Sequence, residues 1–189
     1  MKKFISLILI FPLLLSAQDN KQAPQKRWTA IGSVGVVAGE TGNNIVFQLA
    51  NGINYHRFFT GIGIGYDRYH FNSFPVFADW RMNFGKRKST FIYGLGGYNF
   101  PGQHKESLEF SKINDKLSGG AYFDLGLGYR APAGGGNRLL FSVGYSQKNL
   151  ERTKIFIYPC VTGNCPETIY HLKYNFRRLT AKLSWELGY

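Results

Sequence analysis

The chain has 189 residues, enough for one domain, and a formal net charge of +12. Aromatic residues make up 16%, charged residues only 18%, and there are 23 glycines. This composition is unusual for a soluble helical protein and favours a β-rich fold. Strong basicity can indicate a nucleic-acid partner, but the export signal described next argues against one.

The first 17 residues have the three parts of a secretory signal peptide. Lys2 and Lys3 form a basic start, 4–15 is an apolar run, and small residues end at Ala17. The run is short against the roughly 20 residues of a spanning helix, so we expect cleavage after Ala17 and not a retained anchor. Residues 18–26 are polar without periodicity and predict a flexible periplasmic leader. Without the two lysines of the signal, the formal charge is +10.

From Arg27 onward, eight apolar or alternating segments are separated by turn residues. Most have the roughly 9 to 11 residues that a tilted strand needs to cross a bilayer. No later apolar run could form a spanning helix, so a membrane form has to be a closed barrel. We therefore predict that 27–189 is all-β, an eight-stranded antiparallel up-and-down transmembrane β-barrel. The predicted strands are 27–37, 44–53, 57–68, 74–84, 89–99, 119–130, 137–147 and 174–188.

The connections between these strands differ in length in a regular way. Connections two, four and six, at 54–56, 85–88 and 131–136, are short, whereas the two long connections, 100–118 and 148–173, are the fifth and seventh. If the N-terminus lies in the periplasm, the short connections become periplasmic turns and the long ones extracellular loops.

Alternation within the strands separates an apolar face from a face that carries charges and glycines. Glycine is a poor surface residue in a strand but fits the narrow interior of eight strands, so we predict that the charged, glycine-rich face is the inside. A soluble secreted barrel of the lipocalin kind would put the apolar face inside, and it is the main structural alternative. The glycines assigned to the inner face are Gly61, Gly63, Gly65, Gly94, Gly96, Gly126, Gly128 and Gly144.

The chain ends in a strand with an unbroken alternation in which Leu183, Trp185, Leu187 and Tyr189 face one way. With the signal, the eight strands and the long outer loops, the mature chain resembles the small OmpA/OmpX-type outer-membrane barrels. That resemblance implies a location in the cell outer membrane. It also implies that these four residues are the signal read by the barrel-insertion machinery, although the family more usually ends in Phe. It does not decide activity, because the family includes adhesins, structural barrels, small channels and a few enzymes.

Several charged residues fall on the predicted inner face. Buried charges have to be paired to be tolerated, so we predict a ladder of opposite charges across the lumen. We interpret the ladder as a structural plug, with a gated polar pore as the alternative, since an eight-stranded interior is usually too narrow for an open channel. The predicted lumen network is Asp67, Asp79, Arg81, Asp124, Arg130, Lys182 and Glu186.

Two cysteines, Cys160 and Cys165, lie in the longest predicted outer loop. A closely spaced pair in an exported protein predicts a disulfide, which would fix the turn between them. A metal site of both thiolates and His171 is disfavoured, because structural zinc normally takes four protein ligands. We predict no metal.

The four histidines raise the alternative of an enzyme that modifies outer-leaflet lipid. His104 and His171 both fall in long outer loops, whereas His56 and His70 do not. No Gly-x-Ser-x-Gly nucleophile motif supports catalysis. We therefore predict no catalytic residue and no cofactor, and the sequence assigns no ligand-binding residue.

The predicted function is a structural or interaction role, as an adhesin or accessory subunit, through the long extracellular loops. Expected partners are outer-membrane lipid and lipopolysaccharide, the insertion machinery during assembly, and a protein at the outer loops. The alternatives are a small pore, a lipid-modifying enzyme and a soluble lipocalin-like binding barrel. Basic loop residues that would lie near lipopolysaccharide phosphates are Lys105, Lys112, Lys116, Arg152 and Lys154.

Overall fold

The computed structural model describes residues 26–40, 42–85, 88–102, 114–134, 136–157 and 167–188. Within these ranges, no helix has the length and apolar character needed to cross a membrane. The strands are β1 (Arg27–Gly39), β2 (Gly42–Tyr55), β3 (Phe58–Asp67), β4 (Ser73–Phe84), β5 (Thr90–Pro101), β6 (Asn114–Ser118), β7 (Gly120–Gly134), β8 (Asn137–Ile157) and β9 (Glu167–Gly188).

The strands close into an eight-stranded antiparallel barrel, as predicted. Each strand pairs with its neighbour in sequence from β1 to β5, β5 continues to β7, and β7, β8 and β9 follow in order. Pairing of β1 with β9, from Thr29 with Gly188 to Gly39 with Arg178, closes the cylinder. The short β6 lies outside this circuit, because it pairs with the far end of β8.

The two long predicted outer loops, 100–118 and 148–173, include residues that the structure places in strands. The segment 148–173 is mostly paired strand, because β8 runs to Ile157 and β9 begins at Glu167. The segment 100–118 also contains strand at both ends, including β6. The prediction failed there because polar residues on both faces remove the alternation that marks a half-buried strand, whereas backbone pairing continues without it.

The turns at the end of the barrel that is predicted to face the periplasm, here called the inner end, are tight. Gly85 and Gly136 have φ angles of 78° and 83°, which glycine adopts without the steric cost of a side chain. His56 and Lys88 also lie in the left-handed region, with φ of 59° and 51°. The turns therefore hold the inner ends of adjacent strands close together.

Most predicted strand faces agree with the structure. Outward positions carry exposed apolar side chains such as Ile62, Ile64, Leu125 and Leu127 over the middle of each strand, here called the apolar belt. The prediction was wrong for Gly94 and Gly96, which face outward. A Cβ on Gly94 would meet Leu125 Cδ2 at 3.1 Å, and one on Gly96 would meet the Phe123 ring.

The interior contains two clusters of buried apolar residues. One fills the middle and inner half of the barrel, and the other lies at the opposite end, which is predicted to be extracellular and is here called the outer end. The first cluster is Ile31, Ala50, Phe59, Phe77, Phe91, Tyr93, Leu95, Tyr122 and Leu140. The second is Val37, Val46, Tyr69, Phe71, Leu150 and Phe176, with Leu117 and Tyr174 packed against it. The lumen is thus filled with side chains.

Glycines opposite the internal rings provide the room for this filling. A Cβ on Gly63 would lie 2.5 Å from the Phe77 ring, and one on Gly128 would overlap the ring of Phe91. Glycine at these inner positions therefore lets aromatic rings cross a narrow lumen.

Candidate functional site

Asp124 on β7 is the centre of a polar network in the middle of the lumen. Its carboxylate accepts hydrogen bonds from Lys182 Nζ at 2.7 Å and from the hydroxyl of Tyr93 at 2.9 Å. The Tyr122 hydroxyl donates to it at 3.4 Å and itself accepts from Gln48 Nε2 at 2.8 Å. Strands β2, β5, β7 and β9 are thereby joined across the interior.

Asp79 and Arg81, two residues apart on β4, pair directly. The Arg81 Nη2 lies 2.7 Å from Asp79 Oδ2, and Nε donates to the same carboxylate at 3.0 Å. The guanidinium also lies 5.6 Å from the ring centroid of Phe59 and 5.8 Å from that of Phe91. The charge is thus both neutralised and packed between aromatic rings, which attract cations through their faces.

A second ionic group lies at the outer end around Asp67, the last residue of β3. Its carboxylate contacts Arg178 Nη1 and lies 3.5 Å from Lys148 Nζ. The Arg178 Nη2 donates to Ser146 Oγ at 2.9 Å, and both cationic side chains are almost fully buried. One carboxylate therefore serves two buried cations.

The connection between β3 and β4, 68–72, folds into the outer mouth and closes it; we call it the outer cap. Lys148 Nζ donates to the carbonyl oxygens of Tyr69 at 2.9 Å and Phe71 at 3.1 Å and to Ser73 Oγ at 2.9 Å. The Tyr69 amide donates to Asp67 Oδ1 at 2.8 Å. Tyr69 and Phe71 are buried, so this connection is a packed part of the lumen.

Glu186 on β9 organises the inner end. Its Oε2 lies 2.9 Å from Arg130 Nη2, and its Oε1 accepts from Arg138 Nη1 at 3.1 Å and from Asn54 Nδ2 at 3.5 Å. The Arg138 side chain is 42% exposed, whereas that of Arg130 is almost buried. This end is therefore open to solvent on one side.

The structure places all seven residues of the predicted lumen network inside the barrel and buried. Asp79 pairs with Arg81, but Lys182 and Glu186, four apart on β9, belong to different groups. Sequence reasoning missed Lys148 and Arg178, the partners of Asp67. Both continue the period-two inner pattern of their strands, so extending that pattern through Lys148 would have found the first.

The outer halves of β8 and β9 project beyond the barrel. The apolar belt ends at Tyr145 on β8 and Leu179 on β9, and the next outward positions, Gln147 and Arg177, are polar. From Leu179 to Glu167 the strand extends about 40 Å at the usual rise per residue. We call residues 147–157 of β8 and 167–177 of β9, together with β6, the projecting sheet.

Two strand edges of the projecting sheet have no partner strand among the described residues. β9 pairs with β1 only as far as Arg178, so 167–177 pair with β8 alone. β6 pairs only with β8, from Asn114 with Ile155 to Ser118 with Glu151. Exposed apolar side chains, Ile169 and Leu172, lie on the β9 edge. An unpaired edge of this kind is a template for a further strand.

Other predicted sites fall partly or wholly outside the described residues. Cys160, Cys165, His104 and Tyr189 lie outside them, as do the signal peptide and all of the leader except Lys26. Leu183 and Trp185 are exposed on the outer face of β9, and Leu187 lies on the same face, half-buried. His171 Nδ1 lies 3.2 Å from Thr153 Oγ1 on the projecting sheet. Across the described part of the chain, no three His, Cys, Asp or Glu side chains gather as a metal site.

Solved structures of outer-membrane barrels are similar to this chain. The solid-state NMR structure of outer membrane protein AlkL in DMPC lipid bilayers has a TM-score of 0.52 and 11% identity, covering 92% of this chain and 94% of that chain. The solution NMR structure of de novo designed TMB2.3 has a TM-score of 0.39 and 12% identity, over 87% and 96% of the two chains. The translocator domain of autotransporter NalP from Neisseria meningitidis has 0.30 and 12%, over 96% and 93%. No protein-family model and no curated protein matches the chain.

The likeness to AlkL concerns the fold. The chain is a closed eight-stranded antiparallel β-barrel of the kind found in outer-membrane proteins. Membership of the OmpA/OmpX-type family stays a prediction.

Proposed function

We propose that the chain is an outer-membrane barrel that anchors a recognition surface, the projecting sheet, outside the cell. The anchor is supported by the distribution of side chains over the wall. Apolar residues are exposed around the belt while buried charges point inward, which is the reverse of a soluble barrel. A lipid environment removes the cost of exposing that apolar surface to water.

The lumen favours an anchor over a pore. Aromatic rings and ion pairs fill its middle, and Tyr69 and Phe71 close its outer end. Eight strands leave just enough width for side chains. The proposal accordingly includes neither steady conductance nor a catalytic role.

The single observation that carries the recognition role is the projecting sheet itself. β8 and β9 have 21 and 22 residues, about twice the 9 to 11 needed to cross a bilayer. The excess lies on the predicted extracellular side and ends in the two open edges. A protein segment can add to such an edge as a further strand, with main-chain hydrogen bonds supplying affinity. We therefore propose that a protein partner binds at these edges. Lipopolysaccharide would lie around the basic residues of the same sheet, Lys116, Arg152 and Lys154.

Anchoring is tested first, by fractionation. Membranes from expressing cells are washed with carbonate, and the protein is run on gels with and without boiling. We expect a species that resists the wash and changes mobility on boiling. Release as a soluble protein would show that the apolar belt does not face lipid and would contradict the proposed membrane anchor.

Recognition is tested by placing a photo-crosslinking amino acid at Leu172 on the open edge or at Leu183 in the apolar belt. On intact cells we expect a protein adduct from position 172 only. The double variant Ile169→Lys with Leu172→Lys should weaken adhesion of cells to any surface bearing the cross-linked partner, because edge lysines oppose strand addition. The matched control adds two lysines, Gln147→Lys and Thr153→Lys, on β8 at positions that have a partner strand on both sides. Equal cross-linking at positions 172 and 183 in correctly inserted protein would contradict the recognition role.

A further inference from the structure

A polar hollow of about 330 Å³ opens at the inner end of the lumen, opposite the outer cap. We call it the inner vestibule. Its lining includes the cations Arg27, Lys88, Arg130 and Arg138 and the carboxylate of Glu186. Four cations against one carboxylate leave a formal charge of +3. Like charges gathered this closely repel one another unless an anion lies among them.

The cations are held in place by other parts of the wall. Lys88 Nζ donates to the carbonyl of His56 at 2.8 Å, which joins the turn before β5 to the turn after β2. That bond uses one of the three donors of the ammonium group. Arg138 reaches Glu186 through Nη1 alone among its described hydrogen bonds.

The hollow also contains buried polar atoms without partners. The Nε of Arg130 has no hydrogen-bond partner among the described residues, and its side chain is more than nine-tenths buried. The acceptors Oδ1 of Asn83 and Oε2 of Glu186 are also without a hydrogen bond there, although Oε2 forms the ion pair with Arg130 Nη2. Each guanidinium carries five donors and a carboxylate has about four acceptor sites, so Glu186 cannot satisfy two arginines and a lysine. Donors thus exceed acceptors.

We propose that the inner vestibule binds a phosphate group presented from the periplasmic side. A phosphate oxyanion supplies several strong acceptors and negative charge, and guanidinium forks match its geometry. Arg130 and Arg138 bind it with Lys88, while Glu186 keeps the two arginines apart and oriented. The volume limits the occupant to a small phosphate compound or the headgroup of a phospholipid from the inner leaflet.

The first arm of the test titrates pyrophosphate into the full barrel in nonionic detergent at low salt, using calorimetry. We expect saturable one-to-one binding that weakens as ionic strength rises. Arg138→Gln and Lys88→Gln should each weaken it by about tenfold, the usual result of losing a charge-assisted contact. Lys173→Gln, on the projecting sheet at the opposite end, should leave binding unchanged. Heat-modifiable migration verifies that each variant is folded.

The second arm separates the two sources of phosphate. The titration is repeated in nanodiscs of phosphatidylcholine with and without phosphatidylglycerol. If pyrophosphate binding that is present in detergent is lost in either nanodisc, a lipid headgroup is the occupant; if it persists in both, a soluble phosphate is. Either result supports the site. Absence of saturable binding in detergent, or equal binding by the wild type and both vestibule variants, would overturn it. This arm is independent of the projecting sheet, so its failure leaves the recognition role standing.

Discussion

The two ends of the lumen use similar residues in opposite ways. At the outer end, Asp67 lies between Arg178 and Lys148, and the remaining donors of Lys148 reach backbone carbonyls and Ser73. At the inner end, Glu186 faces Arg130 and Arg138, and the Nε of Arg130 is left without a described partner. The Nε of Arg178 is likewise without a described partner, so the two ends differ in exposure and charge and not in hydrogen bonding alone. The outer group is buried, with two cations to one carboxylate, whereas the inner group opens to solvent with four cations to one.

The outer ionic group therefore has a structural role, whereas the inner group is the one that can bind a ligand. A buried ionic group that is enclosed by the outer cap rigidifies the fold and is not accessible to a ligand. A partly satisfied group of excess cations, open to solvent, is poised for an anion. The barrel is thus closed at its outer end and open to an anion at its inner end.

The largest expected effect comes from neutralising the central carboxylate at each end. Asp67→Asn leaves Arg178 and Lys148 buried without a counter-charge, and we expect a loss of about 3 to 5 kcal/mol in unfolding free energy. Glu186→Gln should cost less, because water can solvate the 42% exposed Arg138 and only Arg130 is left buried without its counter-charge. The measurement is urea unfolding in lipid vesicles, followed by the fluorescence of the three tryptophans. Equal losses at the two ends would contradict the comparison.

A smaller effect is expected from Lys148→Met, which keeps the apolar stem of the side chain. The outer cap loses the bonds to the carbonyls of Tyr69 and Phe71, for a cost of about 1.5 to 3 kcal/mol. Backbone amides of 68–72 should then exchange with solvent by local opening, before the barrel unfolds. Hydrogen exchange measures this directly.

Lys182→Met is the control for that experiment. Lys182 is also a buried lysine, but it pairs with Asp124 in the middle of the lumen. Its loss should lower global stability without opening 68–72 selectively. Matching exchange patterns in the two variants would show that Lys148 is not what holds the cap.

The sequence predicted the barrel because its strongest signals are local. A period of two over a strand such as β3, and short turns at alternate connections, depend only on near neighbours in sequence. The same reasoning ended the last two predicted strands at 147 and 174, just past the point where the outer face turns polar. Beyond those residues only backbone pairing between distant strands keeps β8 and β9 together, and pairing leaves no compositional mark.

The lumen was harder to predict than the wall. Which carboxylate meets which cation depends on register across the barrel, so Asp67 and Arg178, 111 residues apart, could not be matched from sequence. Strand β5 was assigned the wrong phase because apolar residues lie on both of its faces. Phe91, Tyr93 and Leu95 point inward, and Gly94 and Gly96 point outward.

The smallest effect tests the wall between the two ends, with one glycine on β7 that faces the Phe91 ring of β5 and one glycine on β5 itself. In Gly128→Ala, the new methyl group faces the lumen and overlaps the Phe91 ring, with 2.6 Å to Cε1. Because overpacking a filled interior forces neighbours to move, we expect a loss of about 1 to 3 kcal/mol in unfolding free energy.

Gly94→Ala places the same methyl group on the lipid side, 3.1 Å from the mobile end of Leu125. A small rotation of that side chain relieves the contact, so the change should stay within about 0.5 kcal/mol. Urea unfolding of both variants in the same vesicles gives the comparison. If Gly94→Ala were the more costly, β5 would have its glycines inside, and Phe91 would leave both the lumen and the cation contact with Arg130. Arg130, which lines the inner vestibule, would then lose that ring contact, so the phase of this one strand bears on the phosphate site as well as on the wall.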